Sequence, residues 1–578
     1  MRLTTRTLFF IAILTLIPFI GLCDFHTKGE PREAVVALTM LDTGNWILPV
    51  NNGEEIAYKP PMFHWLVALA SLPMGHVTEF TARIPSALAA IVTALATFLF
   101  FARRRGDTVG LLTALVMLTT FEVHRAAMAC RVDMVLTMFI VLALYGMLSH
   151  VERGGKGIPW LALLCMSGGM LTKGPVAIVL PLLVAYVFFG WQHRPKGVSA
   201  WLKLTGQYAA FALLALVLPA VWYYAAWKQG GDGFLYLVYE ENVLRFLGRM
   251  PYRSHEKGLY YYPLVLLGGL LPYTLLLFAP CFKGRAGNRF SFAHLWARLK
   301  ARVQRADTVE LASMLSVGLI LLFYCIPKSK RSVYILPIYP FLSFFIALAL
   351  LRLQRVRPAA LKAFFWTLAG LTGLLVVMLT VVESGWLPAN LLGDKLAPMV
   401  RAIADGGGLD FMGNYALIAA MLIAIYCYYA LRRLPEVVND TIYTLLVLLM
   451  LLDAVVLHAA LSAKSDKPYT AQILHDAQGE KVWTFVDDPD RMMHFFTLNF
   501  YADNSLGVFP ERRVGAVGHA TQLNHEAEPR AGLLLVGDKD RERFAALHPE
   551  YILTLVSDYH HRSCDVKQDL QLWRFVRE

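Results

Sequence analysis

Five polar groups of residues have the types needed to act on a phosphate and a hydroxyl. The first is Phe25-His26-Thr27-Lys28-Gly29-Glu30-Pro31-Arg32-Glu33-Ala34, and the second is Tyr58-Lys59-Pro60-Pro61-Met62-Phe63-His64-Trp65. Arg125, Arg131 and Asp133 form a third, and Glu240, Glu241, Arg245, Arg249, Arg253 and His255 a fourth. Lys328-Ser329-Lys330-Arg331-Ser332-Val333-Tyr334 is the fifth. Fixed cations hold a phosphate and stabilise it as it leaves, and a carboxylate accepts the proton of an incoming hydroxyl. Lys or Arg suits the phosphate, Arg with two parallel hydrogen bonds. Taken singly, each residue has a plainer reading. A charge at a helix end is most often a solvated or snorkelling anchor, Trp46 and Trp65 fit an interfacial belt, and a lone His such as His255 is usually an ordinary hydrogen-bonding residue. Types and spacing establish a polar site and not yet a reaction.

The elements that must position these residues lie in lipid. A chain of 578 residues that is 57% hydrophobic and 17% charged, with mean hydropathy +0.50, cannot offer a water-exposed surface over most of its length. Apolar runs of roughly 17 to 25 residues, enough to cross about 30 Å of hydrocarbon, recur throughout. Basic clusters border them: Arg103-Arg104-Arg105, Arg194 with Lys196, Lys283 to Arg305, Arg352 to Lys362 and Arg432-Arg433. Placing each cluster inside the cell gives crossings near 7–23, 80–101, 108–123, 133–149, 158–172, 175–191, 205–227, 259–281, 309–326, 332–351, 363–382, 414–431 and 441–461. The N-terminus is then inside, the C-terminus outside, and all five polar groups share the outer face. Thr172-Lys173-Gly174-Pro175 divides 158–191 into two spans, a single kinked helix being the alternative.

This distribution excludes several classes. The net charge of +12 is spent on topology and leaves no basic soluble face for nucleic acid. The run Leu8 to Leu22 lacks a small-x-small cleavage site and reads as a retained first helix, and Leu22 before Cys23 argues against a lipoprotein. The seven cysteines lie mostly in or beside apolar segments as packing residues, and Cys564, alone after residue 462, offers no internal disulfide framework to that region. Asp453 is the clear carboxylate well inside a span, either a functional group or a helix-paired packing residue. A proton-coupled transporter would carry more such groups and discontinuous helices at the midplane.

Three outside segments exceed a simple connection. Residues 24–79 contain Pro61 to Met74, apolar but too short to span and suited to the interface. The second covers 228–258, and the third, 383–413, holds Gly406-Gly407-Gly408. After Ser462 the composition becomes that of a small α/β domain, with strands at Lys481 to Val486, Ala531 to Val536, Tyr551 to Val556 and Leu570 to Val576. Helices are expected at Tyr469 to Ala477 and Lys539 to Leu547. The domains are therefore 1–462 in the membrane, with its first loop 24–79, and 463–578 outside it.

The order of the motifs resembles one family. The acidic motif at Glu30, Gly44-Asn45-Trp46-Ile47-Leu48-Pro49, Lys59-Pro60-Pro61, Arg131-Val132-Asp133, Leu171-Thr172-Lys173-Gly174-Pro175, Glu241 to Phe246 with His255, and Ser329-Lys330-Arg331 before Tyr334-Ile335-Leu336-Pro337 follow one another. Together, on thirteen helices with an outer C-terminal domain, they resemble the bacterial GT-C membrane glycosyltransferases of the aminoarabinose transferase and protein mannosyltransferase group. The resemblance implies inverting sugar transfer from a polyprenyl-phosphate-linked donor to lipid A, another envelope glycolipid or a protein, on the periplasmic side of the bacterial inner membrane. It implies Glu30 or Asp133 as base and Lys59, Arg245, Lys330 and Arg331 around the donor phosphate. Arg32, Arg131, His255, Glu241 and Tyr334 are implied as substrate contacts. Two departures stand out: Gly29 replaces the leading Asp of the first-loop motif, and Tyr58 replaces a Glu common before Lys-Pro in the aminoarabinose branch. No cofactor is certain from the sequence. A divalent metal would have to be assembled in space, from Glu30, Asp133 and His255, because no metal-ligand spacing is present.

Overall fold

Every apolar run expected to cross the bilayer carries helix in the computed structural model, which describes residues 2–51, 55–57, 59–249, 256–276, 303–386, 397–403, 411–488, 494–510 and 529–578. The first ten helices are α1 (Arg2–Leu16), α2 (Pro31–Thr43), α3 (Met62–Ser71), α4 (Glu79–Arg105), α5 (Asp107–Leu118), α6 (Phe121–Ala127), α7 (Val132–Glu152), α8 (Trp160–Lys173), α9 (Val176–His193) and α10 (Gly197–Tyr239). Among the described residues, eight helices are long and apolar enough to cross a membrane, or nine if α5 and α6, bent by 70°, form one broken span. The protein is thus a polytopic α-helical membrane protein. The helices at Leu3–Phe19 and Asn414–Ala430 are apolar but shorter, and α8 has 14 residues, so this count stops below the thirteen crossings expected. The glycine-rich stretch 406–408, Arg253, His255 and most of the basic run 283–305 lie outside the described residues.

The bundle is centred on α4 and α7. Phe100 stacks on Tyr145 at 4.1 Å between centroids, and Phe101 stacks on Phe344 of the helix Tyr339–Val356 at 4.5 Å. These contacts close the core without polar atoms, apart from the Tyr145 hydroxyl, which is 3.0 Å from Thr97 Oγ1. Asp453 is paired: one of its oxygens lies 2.7 Å from His124 Nε2 on α6. It sits in a π-helical stretch, Leu452–Leu457, whose extra residue per turn rotates the side chain toward α6.

The first loop is an ordered layer. α2 starts at Pro31, where a missing N–H costs nothing, and stops at Gly44, whose φ of 67° suits a left-handed cap. A short hairpin pairs β1 (Val50–Asn51) with β2 (Glu55–Ile56), and α3 follows. The C-terminal region forms a five-stranded sheet from β3 (Val482–Phe485), β4 (Gly507–Val508), β5 (Ala531–Gly537), β6 (Tyr551–Arg562) and β7 (Asp569–Arg577), in the order β4-β3-β5-β7-β6. β3 is parallel to β4 and β5, while β7 is antiparallel to β5 and β6. The four expected strands fall on β3, β5, β6 and β7, and β4 was too short to leave a period-2 signal. This sheet domain rests on the first loop. Ser465 Oγ donates to the Phe25 carbonyl at 2.7 Å, and Lys467 Nζ bridges Asp24 and Glu79 at 2.8 and 2.7 Å.

Candidate functional site

Glu30 is pinned at the start of α2. Its oxygens accept Arg83 Nε at 2.8 Å, Arg83 Nη2 at 3.2 Å and the Cys130 amide at 2.8 Å. Arg83 also donates to the carbonyls of Ile20, at 2.8 Å, and Cys23. Burial alone would raise the Glu30 carboxyl, but Arg83 outweighs it and holds the group below the usual range. This carboxylate is a fixed anion tying the first loop to α4. At Gly29 a Cβ would overlap the Arg131 guanidinium, so the space in which a leading carboxylate would project is filled by a cation.

Glu33, at the end of the first turn of α2, is the more elaborate centre. Its Oε1 accepts Lys59 Nζ at 2.6 Å and Arg32 Nη2 at 3.0 Å, and its Oε2 lies 3.0 Å from His64 Nε2. Burial pushes the carboxyl up, but Lys59, Arg32 and His64 together hold it well below the usual range. Burial pushes the Lys59 ammonium down to about 8, with Glu33 opposing and Arg32 and Lys173 assisting.

Lys59 also opens onto a cavity of ≈ 340 Å³. Its charged and polar lining includes Lys59, Asp133, Lys173, Glu241, Arg245 and Tyr334, and its apolar lining includes Leu136, Val176, Val179, Phe246 and Phe323. Asp133 lies in the first turn of α7, where the positive helix end favours a carboxylate. Lys173, the last residue of α8, forms an ion pair with it and sits 4.6 Å from the Tyr334 ring centre. Gly174 then turns the chain with φ 110°, and an added Cβ would meet Asn242 Oδ1 at 2.5 Å. The helix break at 172–175 is therefore real, and it delivers Lys173. On the facing wall a π-helical stretch, Glu240–Leu244, precedes Arg245, which donates to Glu241 at 2.7 Å.

The structure thus gathers Lys59, Asp133, Glu241, Arg245 and Tyr334 at one cavity. Arg131 and Arg331 lie beside it, close enough for Arg331 to disfavour the charge on Arg131. Among the described residues neither guanidinium has a carboxylate in ion-pair contact. Lys330 is buried and donates to the carbonyl of Pro327 in its own turn. Arg32 stays with Glu33, Glu30 does not line the cavity, and His255 lies outside the described residues. Sequence reasoning passed over Arg83, Glu33, His64 and Lys173 as site-forming groups. Lys173 was legible as the lone cation inside a Gly-Pro break; the others needed the fold.

Of the residues that could assemble a metal site, Glu30 is engaged by Arg83 and Asp133 by Lys173, and His255 lies outside the described residues. Among the described residues, one grouping could hold an ion: Asp466, Cys564 and Asp565 in the C-terminal domain. Its oxygens are already engaged. Asp466 faces His561 Nε2 and Ser563 Oγ, both at 2.8 Å, and Asp565 accepts the Thr497 amide and hydroxyl at 2.7 and 2.9 Å. That donor set fits a hydrogen-bonded latch better than a cation.

Several known proteins are similar to this chain in sequence or fold. Residues 58–224 match the family described as dolichyl-phosphate-mannose-protein mannosyltransferase. An uncharacterised protein of Aquifex aeolicus is 30% identical over 61% of this chain and 67% of its own length. An undecaprenyl phosphate-alpha-4-amino-4-deoxy-L-arabinose arabinosyl transferase of Shewanella sediminis is 28% identical, over 61% of each chain. The crystal structure of ArnT from Cupriavidus metallidurans bound to undecaprenyl phosphate superposes with TM-score 0.68 at 20% identity, over 98% of this chain and 97% of that one. By helices, motifs and relatives alike, the chain belongs to the GT-C membrane glycosyltransferases, alongside the aminoarabinose transferases and the mannosyltransferase-type family.

Proposed function

We propose that the protein is an inverting transferase that moves a sugar from a polyprenyl-phosphate carrier to an acceptor on the periplasmic face of the bacterial inner membrane. A lipid A-like glycolipid is the first choice of acceptor. The observation that carries this reading is a cavity whose lining combines Lys59, Lys173 and Arg245 with many apolar side chains, a chemistry suited to a phosphate joined to a hydrocarbon tail. Lys59, Lys173 and Arg245 hold the phosphate, with Arg131 and Arg331 beside them. The acceptor oxygen attacks the anomeric carbon opposite the phosphate; the new C–O bond forms as the carrier phosphate departs with its bonding pair, and the configuration inverts. A hydroxyl acceptor gives its proton to Asp133, which lines the cavity beside its partner Lys173, rather than to Glu30, which does not line it. An acceptor phosphate oxygen would release none.

The named relatives make 4-amino-4-deoxy-arabinose the first sugar to test. Thirteen crossings with the C-terminal domain outside would fit the basic clusters, with the cavity mouth then in the periplasm. The decisive experiment is mass spectrometry of envelope glycolipids with and without the gene. A loss of one pentose or hexose unit from a glycolipid supports the reading, and an unchanged envelope with transfer to a protein redirects it. Movement of a labelled substrate across sealed proteoliposomes without covalent change refutes it.

A further inference from the structure

Lys59 stands between two cavities. One is the large cavity described above; the other is a crevice of only ≈ 10 Å³ lined by Arg32, Glu33, Val36, Asn51, Ala57, Lys59 and His64. Glu33 lies on the crevice side only, so it touches no molecule in the large cavity, yet its Oε1 is 2.6 Å from the Lys59 amine. His64 holds the other oxygen at 3.0 Å, which fixes the carboxylate plane. Glu33 and His64 are 4% and 1% exposed. His64 Nδ1 and both amide atoms of Asn51 face this enclosure with no protein partner among the described residues, so the crevice is polar around the carboxylate rather than packed with apolar groups against it.

We propose that Glu33, oriented by His64, is a positioning residue that keeps Lys59 charged and aimed at the large cavity. The inference rests on the reading of Lys59 as a phosphate ligand. A lysine amine taken from water favours its neutral form, and an adjacent carboxylate reverses that preference. The other groups around Lys59 do not replace Glu33. Arg32 on α2 and Lys173 on α8 both oppose its charge, and Asp133 on α7 favours it but is tied to Lys173. Across the cavity, Glu241 is likewise paired with Arg245. Here the same amine is held from behind and presented in front.

The test reads the amine itself. Full-length protein in detergent is treated with an amine-acylating reagent across pH, and labelling of Lys59 is followed by mass spectrometry. Glu33→Gln keeps the shape and removes the charge. If its Lys59 pKa falls by one unit from about 8, labelling at pH 7 rises about fivefold, while Glu33→Asp stays near the unsubstituted protein. The KM for the polyprenyl-phosphate sugar should rise in Glu33→Gln, with the alkaline limb of activity displaced to lower pH. Unchanged Lys59 labelling in Glu33→Gln overturns the proposal whatever the activity does. So does loss of the folded protein in both variants, which would make the carboxylate a folding element. If labelling shifts as expected but polyprenyl phosphate does not protect Lys59 from the reagent, the charge-holding role of Glu33 stands and the phosphate role of Lys59 fails.

Discussion

Replacing Arg83 by Gln separates a structural Glu30 from a catalytic one. The substitution removes two charge-assisted bonds to Glu30 and two bonds to carbonyls, and it leaves a carboxylate that is 6% exposed with the Cys130 amide as its remaining partner. Stripping one member from a buried ion pair typically costs about 3–5 kcal/mol, most of it from the charge left behind. Glu30→Gln alone strands Arg83 instead and should cost a similar amount. The double variant leaves two neutral amides, so the penalties should not add; a favourable coupling of about 1–3 kcal/mol is expected. Unfolding midpoints of the four proteins in detergent give the ranking, and transfer rates in proteoliposomes give the function. If Glu30 only ties the first loop to α4, the double variant regains activity along with stability. A double variant that is as stable as the unsubstituted protein yet slower by roughly 10²–10⁴, the usual loss of a general base, would refute the structural assignment.

Asp133→Asn should lower kcat by about 10²–10⁴ if the acceptor is a hydroxyl and far less if it is a phosphate, so the same variant reports on the acceptor. Lys59→Ala should raise the donor KM roughly 10- to 100-fold, the value of one charge-assisted hydrogen bond, as measured by titrating donor into proteoliposomes. Burial brings Lys59 to about 8, and a lysine is charged below its pKa, so donor KM should be flat in acid and climb as pH passes 8; a flat profile to pH 10 would contradict this. Gly174→Ala forces a side chain into φ 110° and against Asn242, and should lower the unfolding midpoint by the equivalent of about 1–3 kcal/mol while raising donor KM by displacing Lys173. Gly29→Asp should capture Arg131 and raise donor KM about tenfold, the effect of 1.4 kcal/mol; an unchanged KM would show that Arg131 does not serve the phosphate.

What the sequence disclosed depended on how local each signal was. An apolar run bordered by arginines is complete within about 25 residues, so the helices and their polar outer ends were visible, as were the strands with a clear alternation. The hidden parts are long-range pairs. Arg83 sits one turn inside an apolar helix and reads as a snorkelling anchor until Glu30, 53 positions upstream, is folded against it. Glu30 and Glu33 are three residues apart in one motif, and nothing local says that the first will be clamped while the second borders the lysine. The helices at 158–191 were ambiguous for the same reason: the sequence shows a Gly-Pro break, but only the approach of Asn242 to Gly174 shows why a glycine is needed there.

The departure at position 29 changes meaning once charges are paired off in space. Asp133 is matched by Lys173 and Glu241 by Arg245, while Glu33 is divided between Lys59 and Arg32. Arg131 and Arg331 remain without a carboxylate among the described residues, and Arg131 occupies the space where the family's leading acid would stand. A carboxylate there would neutralise one of the two unpaired cations. Its absence leaves Arg131 with no carboxylate in ion-pair contact among the described residues, although Asp133 and Glu30 favour its charge from farther away. In a low-dielectric setting such an unmatched pair is held at a cost in stability, and binding of the donor phosphodiester, whose charge grows as the carrier phosphate departs, would lower that cost. On the proposed reading, the missing acid is part of what would let the site take a phosphate.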